Sequence, residues 1–275
     1  NAIDNLSRER YLINAINWLA EGAGYVTTVY VDNDRPIEWY DDTHVHTIQE
    51  GINRVSIGGT VYVYNGTGGY APALVNKSVT LIGMGNPVIS SSGEYALKVT
   101  VDWSYISNFT IQNAGNLQNG IYLDGSACTT IINCTISDAQ RGIYLHNSPH
   151  STIQNNILQG NDYGIYIEQS LGNDIRENDI SSGGYGIYLQ SAHNNKIQRN
   201  NIFSNTYNGI NIISSENNIL WNNNIYSNNG DGIYLYSSTN ENTILENTLY
   251  NNRKGIYLQL SNRNVVSSNE IFDNT

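Results

Sequence analysis

Charge is what this chain has little of. Only 13% of its 275 residues are charged, with 13 Lys and Arg against 24 Asp and Glu, a net charge of −11. So few cations leave no basic footprint for nucleic acid or for an anionic membrane surface. No apolar run approaches the roughly 18 residues that cross a bilayer, so no segment here reads as a membrane span. There are two cysteines, Cys128 and Cys134, which read either as a disulfide or as two buried small residues, the second being preferred. The chain starts at Asn1 without Met, which reads as a processed or excised form.

What is abundant is glycine (25) and tyrosine (21), and they recur together. The stretch Gly120-Ile-Tyr-Leu123 returns at Gly142, Gly164, Gly186, Gly209, Gly232 and Gly255, at spacings of 22, 22, 22, 23, 23 and 23 residues. A period in the twenties marks a solenoid, in which each repeat buries its apolar face only against its neighbours. Ile121, Ile143, Ile165, Ile187, Ile210, Ile233 and Ile256 follow the glycines, and an Ile or Leu comes two residues later. A period of two means strand. A second apolar column holds Ile131, Ile153, Ile175, Ile197, Leu220 and Val266, with Ile244 one place late, and a third runs from Ile136 to Ile271. Each repeat therefore carries three short strands that return one coil higher. This predicts an all-β parallel β-helix of about nine or ten coils, with three strands per coil.

Between the second and third strands an Asn recurs, at Asn156, Asn178, Asn200, Asn223, Asn247 and Asn269. Stacked at the strand spacing, these amides bond from coil to coil and satisfy turn backbone. The repeat glycine is read as the residue of a sharp bend. Towards the N-terminus, Ser7 to Glu21 reads as a helix and Tyr25 to Val31 as a strand. Thr43 to Val55 reads as an amphipathic helix that caps the solenoid, as a terminal sheet edge requires. The expected division is thus 1–42, a helix and linker that end a preceding domain or cover the solenoid, and 43–275, the β-helix with its helical cap at 43–55. The repeats stop after the third strand of the last coil. That bluntness fits a truncated chain, a longer parent protein or end-to-end self-association.

The Gly-Ile-Tyr-Leu repeats and the Asn-Asn-x-Ile segments between them resemble the repeats of NosD-like proteins. These lie within the carbohydrate-binding and sugar-hydrolase group of right-handed parallel β-helices. Thr47-Ile-Gln-Glu-Gly-Ile52, Gly59 to Thr67 and Val75 to Gly83 resemble the start of such domains in archaeal and bacterial surface proteins. The resemblance covers about Thr43 to Thr275. It is specific for the fold and unspecific for activity, since the scaffold carries lyases, hydrolases, epimerases and plain surface modules.

Two outward columns are candidates for chemistry. Tyr122, Tyr144, Tyr166, Tyr188, Tyr234 and Tyr257, with Asn211 among them, form a ladder suited to lying against sugar rings or another protein. Beside it run Asp124, His146 and Glu168 on successive coils. This spacing puts the two carboxylates about 9.6 Å apart with a His between, near the upper limit for an inverting glycosidase. No basic residue accompanies that column, and Ser148-Pro-His-Ser151 lacks the carboxylates of uronan-active relatives, which counts against lyase or epimerase chemistry. The resemblance also brings a copper-binding label. Cys128 with His150, or His44 with His46, supplies only two donors at a time, so no metal and no cofactor is expected. Asn-x-Ser/Thr sequons at Asn5, Asn65, Asn76, Asn108 and Asn133 fit an extracellular, cell-surface glycoprotein.

The reading is a non-catalytic extracellular module that binds glycan or builds a surface assembly. Its partners are a polysaccharide or another surface protein, and not nucleic acid. The alternative is a polysaccharide-active enzyme that uses Asp124, His146 and Glu168.

Overall fold

The computed structural model describes residues 25–275 apart from 114, 115, 117 and 238. The expected helix at Ser7 to Glu21 and the sequon at Asn5 lie outside the described residues. From residue 73 onwards the chain winds through nine coils, each visiting three parallel sheets in turn. The first sheet holds the Gly-Ile-Tyr-Leu strands, among them Asn119–Asp124, Arg141–His146, Tyr163–Glu168 and Tyr185–Gln190. The second runs from His44–Val45 to Val265–Ser267, and the third from Val88–Ser91 to Glu270–Phe272. Tyr105 to Ile111, which alternates like one strand, is two, Tyr105–Ser107 and Thr110–Asn113, because the chain turns a corner between them.

Residues one repeat apart lie on top of one another. Ile121, Ile143, Ile165 and Ile187 are consecutive partners in the first sheet and are fully buried. The late Ile244 still pairs with Leu220 below and Val266 above, because the connection between Tyr236 and Thr243 absorbs its extra residue.

The repeat glycines do not serve a bend, as the sequence reading held, since none of them has a positive φ. They serve close approach: a Cβ on Gly164 would stand 2.3 Å from Ile180 Cγ2 and 2.6 Å from the Gly186 carbonyl oxygen. The sharp bends fall on other residues in the left-handed region, mostly non-glycine ones such as Asn155, Glu177 and Arg199, with Gly125, Gly160 and Gly172 among them.

Three Asn ladders, not one, tie the corners. In the expected ladder, Asn178 Oδ1 accepts from the backbone N and the Nδ2 of Asn156, each at 3.0 Å, while Asn178 Nδ2 donates to Ile153 O. A second ladder runs through Asn173, Asn195, Asn218 and Asn242, and a third through Asn205, Asn228 and Asn252. All are bonded and all but the terminal Asn269 are buried, which is how a thin body can hold so much polar matter inside.

The helical cap is real and shorter than its periodicity implies. Helix α1 (Ile48–Arg54) starts at a Thr47–Glu50 capping box, and His44–Val45 pairs instead as an edge strand beside Tyr30 and Val31. Ile48 and Ile52 close the core. Gly51 lets the helix sit on the strands, since a Cβ there would lie 2.7 Å from Val31 Cγ2.

Candidate functional site on the first sheet

Parallel pairing in register sets Tyr122, Tyr144, Tyr166 and Tyr188 one above another. Their rings stack at 4.9 Å and 5.2 Å over the first two steps, and Tyr188 turns edge-on to Tyr166 at 5.2 Å. The ladder breaks at Asn211, which is buried and accepts from Asn208 Nδ2 at 2.8 Å, and resumes with Tyr234 and Tyr257 stacked at 5.2 Å. The strip is half-buried, and Tyr166 is only 9% exposed. Burial pushes the hydroxyls of Tyr122, Tyr166 and Tyr188 up to about 12, and raises that of Tyr144 as well. These phenols are protonated donors at neutral pH and cannot act as bases.

A second aromatic column, missed in the sequence reading, lies directly beside the first. Tyr163 stacks on Tyr166 at 5.3 Å and on Tyr185 at 5.3 Å, and Tyr185 meets Tyr207 at 4.9 Å. Tyr207 is 53% exposed. The signal was there: Arg141, Tyr163 and Tyr185 each stand one residue before a repeat glycine.

The polar column reads differently once neighbours are in place. Asp124, His146 and Glu168 are consecutive register partners. Contrary to expectation, a base does accompany them: Lys98 Nζ lies 2.9 Å from Asp124 Oδ2. Lys98 sits in an irregular early coil, so its pairing with Tyr122 was hidden. The Lys98 ammonium holds the Asp124 carboxyl below its ordinary range, and His146 Nδ1 stands 3.3 Å from the other oxygen. Glu168 accepts from the Tyr144 hydroxyl. The two carboxylates are engaged by different partners, Asp124 by Lys98 and His146 and Glu168 by Tyr144.

From the first full coil onwards the strands are joined by only two to six residues, so none of these connections forms a long loop over this face. Ser148 and Ser151 shape a corner, with Ser126 N donating to Ser148 Oγ and Ser148 N to Ser170 Oγ.

Among the described residues no group of three or more His, Cys, Asp or Glu could hold a metal ion. His44 Nδ1 stands against Asp41, and His46 Nδ1 against Tyr40. Cys128 and Cys134 are not joined in a disulfide, and burial pushes the thiol of Cys134 up to about 12, far from the thiolate a metal needs. The residues present do not fit a copper centre.

Among solved structures the chain is similar to a double mutant of the periplasmic alginate epimerase AlgG, at 16% identity and a TM-score of 0.60 over 86% of this chain and 69% of that one. It is also similar to a pectate lyase, at 16% identity and a TM-score of 0.65 over 90% and 80%. The Dettilon tailspike protein matches at 18% identity and a TM-score of 0.63, over 88% of this chain and 62% of the tailspike. At such identities the likeness shows a shared fold. No curated protein matches at a significant level. A right-handed β-helix model matches residues 191–275, and the model described as periplasmic copper-binding protein (NosD) matches residues 52–223. That span exceeds half the chain, which therefore belongs to the NosD family of right-handed parallel β-helix proteins.

Proposed function

We propose that this chain is a non-catalytic β-helix module working outside the cytoplasm, which binds a glycan along the tyrosine face of its first sheet. The observation that carries the reading is the paired row of stacked tyrosines, joined from coil to coil by short connections only, beside which Asp124 and Glu168 are already engaged by Lys98, His146 and Tyr144. Flat rings with protonated hydroxyl edges suit the apolar faces and hydroxyls of sugar rings. The family's periplasmic description and the exposed sequons at Asn65, Asn76 and Asn133 support that location. The family's copper finds no donor set among the described residues, so no step is routed through a metal.

The rings that test the reading are the partly exposed Tyr185 and the exposed Tyr207, not the buried Tyr166. Replacing both Tyr185 and Tyr207 by Ser should weaken binding on a glycan array by about tenfold or more, at 1 to 3 kcal/mol per stacked ring, with the circular dichroism unchanged. Unchanged array binding would overturn it. A second reading, a polysaccharide-active enzyme, would use the Lys98, Asp124 and His146 cluster, and the epimerase and lyase share the fold. Release of products from polygalacturonate or alginate, abolished by Asp124→Asn, would establish that reading in place of the first.

A further inference from the structure

The first sheet carries a cation with an unusual environment. Arg141 is the register partner of Asn119 below and Tyr163 above, so it stands at the foot of the second aromatic column. Its guanidinium lies over the rings of Tyr144 and Tyr166, at 4.8 Å and 5.2 Å. Among the described residues its guanidinium makes only long hydrogen bonds, from Nη1 at 3.4 Å to Asn119 Oδ1 and 3.5 Å to Gln140 Oε1, and its buried Nε has no partner there. Among the described residues no carboxylate pairs with it. Asp231, Asp174 and Glu177 each hold an arginine, and Asp124 a lysine. In a chain of net charge −11, an arginine left without an acid is the exception. Lys254 repeats the arrangement at the far end of the face, its Nζ 3.4 Å from the Tyr257 ring centre.

From this we infer that the face selects an anionic glycan, with Arg141 binding a carboxylate or sulfate on one sugar while neighbouring sugars stack on Tyr163, Tyr185 and Tyr207. This rests on the glycan-binding reading above and adds the class of ligand. A guanidinium held within about 5 Å of two ring centres has part of its side-chain freedom already removed, so less is lost when an oxyanion arrives. The negative charge elsewhere does not forbid this. Its field decays over about 8 Å at physiological ionic strength, whereas the contact with Arg141 is direct.

The test compares each acidic polymer with a neutral counterpart, on the intact chain and on Arg141→Gln. The pairs are polygalacturonate with its methyl ester and dextran sulfate with dextran, which separate carboxylate from sulfate. The intact chain should prefer an acidic member by about tenfold at low salt, a preference that shrinks as salt is added. Arg141→Gln should bring the acidic-to-neutral ratio to within about threefold of one, and Arg141→Lys should restore only part of it. A preference in either pair, lost in Arg141→Gln, supports the inference and names the anion. Equal binding of acidic and neutral polymers, or a ratio that Arg141→Gln leaves intact, overturns it and leaves glycan binding standing. If no polymer of either pair binds, both readings fall.

Discussion

Asp124 shows how a single contact fixes the state of a surface carboxylate. Its side chain is one-third exposed, and Lys98 holds its acidity below the ordinary carboxylate range. A lowered folded-state value means that the pair's stabilisation is present above the unfolded value of about 3.9 and is lost as the pH falls through the folded one. Solvent screening limits it to at most several tenths of a kcal/mol. Lys98→Met should raise the midpoint of the Asp124 titration, followed by carboxyl carbon NMR, and shrink the loss of stability on the acid side. An unmoved midpoint would mean that Lys98 does not hold the carboxylate. The repeat glycines act at the same scale. They are required by a neighbour's backbone at 2.6 Å rather than by their own torsions, a distinction that a repeat column of glycine cannot express.

Among the elements, the three corners differ in what they tolerate. Between the second and third sheets the connection is two residues in every coil after the first, as in Asn155–Asn156 and Asn222–Asn223, and from Asn156 onwards the second of them is the ladder Asn. The extra residue of the longer repeats falls elsewhere: between Phe203 and Gly209, between Tyr226 and Gly232, and between Tyr236 and Thr243. A residue inserted in the two-residue corner would push the ladder amide out of register and turn the next strand's apolar side chains outward. Gly inserted between Glu177 and Asn178 should therefore cost about 3 kcal/mol or more, from orphaned buried amides and a flipped strand. The same insertion between Gly172 and Asn173, in the corner that lengthens naturally after Tyr236, should cost well under half as much. Chemical denaturation of the two variants compares them, and equal losses would contradict the argument.

For the whole molecule, a stack in which each coil touches only its neighbours is held by a core a few side chains wide. Ile187 is fully buried between Ile165 and Ile210. Ile187→Asp buries a charge with no partner there and should cost more than about 4 kcal/mol. Limited proteolysis should then cut the middle coils first, and a soluble variant with unchanged heat stability would refute this account of the core. The body's one-dimensional order also explains which parts of the site could be read ahead. Wherever the repeat is regular, position in the sequence is position in space, so the tyrosine ladder and the Asp124, His146 and Glu168 column were legible. Lys98 was not, because the early coils are irregular. The depth of Tyr166 was not, because rings from the next column cover it.

The sequence alone determined the winding: the period of 22 or 23 residues, the three inward columns and the number of coils follow from the alternation of apolar residues that must face a shared core. The tertiary structure alone decided the partners of each polar group. Lys98 reaches Asp124, Tyr144 reaches Glu168, and Arg141 is left with rings instead of an acid. The reason is physical. Burial of apolar surface depends on residue type and repeat position, which a sequence displays, whereas hydrogen bonds and ion pairs depend on side-chain directions across coils, which exist only once the coils are stacked.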